Sequence, residues 1–198
     1  MKITNKAFIA ALVLACASSL GGTSPTVSEG LETAARIEVL FIGGYATDPR
    51  DHGRPVVLIA AALPVTPEVF RDAFSRVKPA PAGEAPEPGQ VSRNKQVLLS
   101  RLGLYGITNE RLDEVSNYYR YDGRRQKLWR HTPATAFATV RHGVITRFTI
   151  TDPGSGYTTA PKIQLPGRSD LNATAILSLG TNLLTNGSIK AITVGGVK

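Results

Sequence analysis

Gly143-Val-Ile-Thr-Arg-Phe-Thr-Ile-Thr-Asp-Pro-Gly-Ser-Gly-Tyr-Thr-Thr-Ala-Pro161 is the stretch whose reading decides the fold. Val144 to Thr151 is rich in β-branched and aromatic residues and predicts a strand. Asp152-Pro-Gly-Ser-Gly156 predicts a turn, and Pro161 marks a further break. The run recurs in part: Gly187-x-Ile-x-x-Ile-Thr-Val194 repeats Gly143-x-Ile-x-x-Phe-Thr-Ile150. Ala173-Thr-Ala175 likewise repeats Ala134-Thr-Ala136. The two offsets are 44 and 39 residues, so the second copy has gained five residues around Thr181 to Asn186. Repetition at this period reads as a repeated strand-and-turn unit. The economical expectation for 132–198 is a four- or five-stranded antiparallel β module.

Upstream the pattern changes. Ile37 to Ile42 predicts one strand, bounded by Gly43-Gly44. A helix is expected over Val56 to Leu63 after Pro55, which suits a helix start. In Thr66-Pro-Glu-Val-Phe-Arg-Asp-Ala-Phe-Ser-Arg-Val77, Thr66 is a cap and Pro67 a first-turn residue. Val69, Phe70, Ala73, Phe74 and Val77 fall on one helical face. Asn94 to Leu104 predicts another helix. Gly106 to Val115 then aligns with Pro64 to Ala73, 42 residues earlier. Two helix-turn-helix units follow from this, joined by a proline- and glycine-rich connector over 78–89. Such geometry also reads DNA in other proteins, but an exported chain is expected to use it to pack two helical hairpins on one another.

The expected fold is therefore α+β: a helical N-terminal part, with two helix-turn-helix units after one strand, followed by a small antiparallel β module. The expected divisions are 1–17 signal peptide, 18–35 linker, 36–131 mainly helical domain and 132–198 β-repeat module.

The first residues supply an address. Lys2 and Lys6 precede the short apolar run Ala7 to Ala15, with small residues after it, the layout of a secretory signal peptide. Two processing sites stay open. Ala15-Cys16-Ala17 is an A-x-A site, and Val13-Leu14-Ala15-Cys16 has the form of a lipoprotein box that would make Cys16 the lipidated first residue. Cys16 is the sole cysteine, so no internal disulfide can form and burial must hold the chain together. An extracytoplasmic location follows as an expectation: periplasm, cell surface or secreted, with membrane contact only through a lipid anchor at Cys16.

The chain carries 23 Lys+Arg against 15 Asp+Glu, a formal +8. A basic exported protein meets anionic envelope polymers and acidic glycans before it meets nucleic acid.

Three groups of residues are candidates for chemistry. Asp48, Asp51 and His52, with Arg50 and Arg54, share a glycine-flanked loop after a strand. Loops at strand ends carry functional groups disproportionately, and these three could do acid/base work or bind a cation. Against this, Asp48-Pro49 makes a turn and Asp51 can cap or pair with an arginine. The second group is aromatic and basic: Tyr118, Tyr119, Tyr121 and Trp129 beside Arg120, Arg124, Arg125, Lys127 and Arg130. Rings beside cations can stack on sugars or track a polyanion, so Tyr119, Arg124, Arg125 and Trp129 are the candidate ligand-binding residues. The other reading packs two of the rings between the helical and β parts. The third group is His131, His142 and Ser155, which lack metal-ligand or nucleophile context. The chain contains no H-E-x-x-H, C-x-x-C, G-x-S-x-G or phosphate loop, so no cofactor and no metal are expected.

The Gly154-Ser-Gly-Tyr157 to Pro161 core with its A-T-A strand resembles a short β repeat of phage structural proteins and exported bacterial surface proteins. That resemblance covers roughly 134–198. The whole chain is also similar to an uncharacterised family of exported bacterial proteins carrying G-G-x-x-T-D-P-R-D-x-G-R-P, here Gly43 to Pro55, and V-S-N-Y-Y-R-Y, here Val115 to Tyr121. The resemblance implies export and no particular activity. Together these readings predict a non-enzymatic envelope protein for attachment or binding of an anionic or glycan ligand. The alternative is a small exported hydrolase or cation-dependent enzyme using Asp48, Asp51 and His52. Oligomeric state is left open by the sequence.

Overall fold

A computed structural model describes residues 34–78, 87–120, 127–169 and 171–195. The signal segment, Cys16, Arg124 and Arg125 lie outside the described residues. The described residues belong to one compact unit.

The expected layout, a helical N-terminal part behind one strand with a separate β module after it, is overturned. The helices occupy the middle of the chain, and strands precede and follow them. The strands are β1 Ala35–Glu38, β2 Leu40–Ile42, β3 Thr135–Arg141, β4 Val144–Asp152, β5 Lys162–Gln164, β6 Ala173–Ser178 and β7 Ser188–Val194. They form two antiparallel sheets, ordered β1-β3-β4 and β2-β5-β6-β7. The segment read as one strand over Ile37 to Ile42 is therefore two. β1 pairs with β3 in the first sheet and β2 with β5 in the second. The break is at Val39, which is buried in the sheet core and whose amide donates to Ala136 O at 3.0 Å. One apolar residue turned inward thus lets a six-residue run feed both sheets. Periodicity could not show this, because each half alternates normally.

Among the described residues four α-helices lie between: α1 Val56–Ala62, α2 Pro67–Ser75, α3 Gln90–Leu102 and α4 Asn109–Tyr118. The repeated Thr caps are both made. Thr66 Oγ1 accepts from Val69 N at 3.3 Å and Thr108 Oγ1 from Arg111 N at 3.2 Å, each satisfying an otherwise orphaned first-turn donor. α3 begins four residues earlier than expected. Its Gln90 side chain accepts from Glu87 N and donates to Lys78 O, both at 2.8 Å, so one amide joins the two ends of the connector.

Two apolar clusters fill the unit. One gathers Leu58, Leu63, Phe70, Leu102, Leu112 and Val115 from the helices. The other gathers Val39, Ala136, Ala138, Tyr157, Ile163 and Ile189 between the sheets. The two copies of the sequence repeat are the hairpins β3–β4 and β6–β7. The first turns tightly at His142 and Gly143, both with positive φ, the conformation a two-residue type I′ hairpin needs. The second carries the extra residues, and these dock the hairpin onto the helices. Leu183 enters the helical cluster, and Asn186 donates to Leu58 O at 2.8 Å.

Candidate functional site

The loop Gly43 to Pro55 packs as a scaffold. Gly44 O accepts from the amides of Thr158 at 2.9 Å and Thr159 at 3.1 Å. Tyr45 stacks on Tyr157 with ring centroids 5.0 Å apart and an 11° interplanar angle. Burial first, and a hydrogen bond to Tyr157 second, hold the Tyr45 hydroxyl well above its ordinary pKa. The conspicuous Gly-Ser-Gly-Tyr turn lies under this loop. Tyr157 is buried, and its hydroxyl accepts from Ala134 N at 2.9 Å. Gly156 has φ +81°, and a Cβ there would lie 2.7 Å from His131 Cβ and 2.9 Å from Arg130 O.

Asp48 caps the 3-10 turn Pro49–Asp51 by accepting from Arg50 N at 2.9 Å. Its carboxylate also takes the Arg50 guanidinium, with Nη2 to Oδ2 at 2.6 Å. These bonds hold the Asp48 carboxyl well below the usual range. Asp51 is only 4% exposed. Both of its oxygens accept from Arg71, from Nε and Nη2 at 2.8 Å each, the bidentate fork that guanidinium planarity favours. His52 is exposed at the turn's end, in a left-handed conformation with φ 48°. The three residues therefore sit on one loop, but each carboxylate is occupied by an arginine. Both carboxylates are held as ion pairs. Among the described residues no group of three His, Cys, Asp or Glu side chains is placed to hold a metal.

The aromatic–basic segment divides. Tyr119 is 3% exposed and Trp129 2% exposed, both within the helical cluster. Trp129 Nε1 donates to Gly156 O at 2.8 Å. Tyr119 accepts from Asn186 Nδ2 at 2.9 Å, and burial pushes its hydroxyl up to about 12. These two rings are interior joints between helices and sheets, so they are corrected from candidate ligand contacts to packing residues. Each ring carries one polar atom, and the interior supplies its partner. Arg130 lies over the Tyr118 ring at 5.1 Å, and Arg120 donates to Asn117 Oδ1 at 3.0 Å. His131 takes its place against Tyr45, ring to ring at 4.6 Å. Ser155 is buried, its backbone paired with Thr132 in both directions.

A face not singled out by the sequence reading has a different character. In the three-stranded sheet, register places Arg36, Thr139 and Arg147 in one row across β1, β3 and β4. Glu38, Phe137 and Thr149 form the next row on the same face. Arg36, Glu38, Thr135, Arg147 and Thr151 are exposed, and the Arg36 guanidinium lies 3.5 Å over the Phe137 ring. Thr135 and Thr151 share a hydroxyl–hydroxyl bond at 2.7 Å. Neither Arg36 nor Arg147 makes an ion pair with any described carboxylate. The signal was present as the alternations Arg36-x-Glu38, Thr135-x-Phe137-x-Thr139 and Arg147-x-Thr149-x-Thr151. Only strand order brings them onto one grid.

The chain matches no protein-family model, and no curated protein or solved structure is significantly similar to it. Among the described residues, no helix is long and apolar enough to cross a membrane.

Proposed function

We propose that this protein is an exported, non-enzymatic envelope component that binds a linear anionic polymer or acidic glycan. The supporting observation is the row Arg36–Thr139–Arg147, two unpaired guanidinium groups on an open sheet face. Strand spacing of about 4.8 Å sets the two arginines roughly 10 Å apart. Guanidinium groups recognise carboxylates and phosphates through paired donors, and the intervening threonines add hydroxyls on the same plane. An exposed face carrying arginines and threonines in rows suits an extended chain better than a small enclosed substrate. Against the hydrolase alternative, the carboxylates of Asp48 and Asp51 are held by Arg50 and Arg71.

The test is retention of the exported chain on immobilised carboxylated glycan and on a phosphodiester polymer, across a salt series. Arg36→Gln with Arg147→Gln should leave the melting temperature unchanged and abolish most retention at low salt. Exposed charges are screened over about 30 Å at 0.01 M but only about 8 Å at 0.15 M, so wild-type retention should fall as salt rises. Equal retention of wild type and the double variant on both polymers would refute the proposal.

A further inference from the structure

We infer that the cleft between the 3-10 turn and α2 is a second binding site, for a small acyl or aryl carboxylate. The cleft has a volume of about 510 Å³, within the range of small-ligand sites. Its floor is apolar. Val56 and Phe70 are buried there, and Phe74 is half-buried, with the two phenyl rings 5.8 Å apart. The rim is polar: Arg50, Asp51, His52, Arg54, Arg71 and Asp72. An apolar floor under a polar rim selects an amphipathic ligand. The rim cation left without a carboxylate partner selects its sign.

Each acid there is already compensated. Asp51 gives both oxygens to Arg71, and Asp72 pairs with Arg76 at 3.6 Å. Arg50 is taken by Asp48 outside the cleft. Arg71 is shared with Glu68 at 3.2 Å, and Arg54 is the rim arginine with no carboxylate partner among the described residues. Its guanidinium lies 4.7 Å over the Phe74 ring, and its one hydrogen bond is a long contact of 3.4 Å from Nη1 to Asp51 O. Stacking on the ring fixes the plane of the guanidinium while leaving donors at its edge. A carboxylate can take those donors in a fork while its apolar body covers Phe74 and Phe70. His52, exposed beside it, adds a ring N–H to the same rim. The site is separate from the sheet face bearing Arg36 and Arg147, and it does not depend on that face binding polymer.

The experiment is titration of the full exported chain with sodium hexanoate, sodium benzoate and 1-hexanol, followed by NMR shifts of Phe70, Phe74 and Arg54. Either carboxylate should give saturable shifts confined to these residues, with hexanol about tenfold weaker or worse. Arg54→Gln should weaken the carboxylates by about tenfold or more, since hydrogen bonds to a charged partner contribute roughly 1.5–3 kcal/mol. Ser75→Trp, at an exposed rim position, should block the cleft without touching the core. Absence of saturable shifts with both carboxylates overturns the inference. So does hexanol binding as tightly as hexanoate, or an affinity unchanged in Arg54→Gln or in Ser75→Trp.

Discussion

The side-chain amide of Asn186 donates to the hydroxyl of Tyr119 at 2.9 Å and to Leu58 O at 2.8 Å. One buried amide thereby joins α4, α1 and the turn ahead of β7. Its carbonyl oxygen accepts from Gly180 N at 3.1 Å, and its backbone carbonyl accepts from Gly156 N at 2.9 Å. Asn186→Leu should therefore destabilise by roughly 2–4 kcal/mol, because several buried groups lose their partner at about 1–3 kcal/mol each. Tyr119→Phe removes one acceptor and should cost about 1 kcal/mol. Urea midpoints measure both. Equal small losses for the two variants would show that the turn is held by apolar packing alone.

Stability should fall at alkaline pH. Burial raises the Tyr119 hydroxyl to about 12, against about 10 in an unfolded chain. Between those values the folded state retains a proton that the unfolded state releases, so the unfolding free energy drops as pH rises. The contribution is complete below pH 10 and is lost towards pH 12. Tyr45, raised for the same reason, acts in the same direction. Tyr119→Phe should flatten part of the slope seen by denaturant titration above pH 10. An unchanged slope would place the loss elsewhere.

Tyr157 anchors the Gly-Ser-Gly turn between the sheets, so Tyr157→Ala should cost roughly 3–5 kcal/mol, as aromatic truncations in cores do. Gly156→Ala should cost about 1–3 kcal/mol from its left-handed φ alone, and more because the added carbon meets His131 and Arg130 O. Thermal melts of both variants near wild type would dismiss the anchor.

The Asp51–Arg71 pair separates scaffold from catalysis. Asp51 has 2% of its side chain exposed. Arg71→Met should destabilise by about 3–5 kcal/mol, since it strands a buried carboxylate. Arg71→Met with Asp51→Leu should recover much of that loss. A single variant as stable as wild type would mean that Asp51 is not held as a buried charge.

The connector should be replaceable. Lys78 O and Glu87 N both contact the amide of Gln90, so a four-residue Gly-Ser link in place of 79–86 spans the gap. Loop shortening of this size changes closure entropy by about 0.6 kcal/mol per halving. A melting temperature lowered by more than a few degrees would show that 79–86 contributes packing of its own.

Local chemistry was legible where local chemistry decides. Thr66 and Thr108 cap helices because a hydroxyl three residues ahead of an amide needs no distant partner. The β3–β4 turn follows from residues that accept positive φ, and Tyr157 reads as an anchor because the glycines ahead of it fold the chain back. The carboxylates of Asp48 and Asp51 were visible as a pair with arginines nearby. Asp48 finds Arg50 two residues away, whereas the partner of Asp51, Arg71, stands 20 residues on and was not predicted.

The sequence by itself determined the composition of each element and the existence of the repeat. Tertiary structure alone decided which elements share a sheet, and therefore which side chains share a surface. Ile37 to Ile42 alternates as one strand, yet the inward turn of Val39 sends its halves to partners about 100 residues and about 120 residues later. Tyr119 and Trp129 look like a ligand surface beside cations, yet each has a buried polar partner from the β segments that draws the ring inside. Arg36 and Arg147 are 111 residues apart and meet on one row because β3 lies between their strands. Hydrogen-bond pairing across long separations carries no local signature, since it is set by which register buries the most apolar surface.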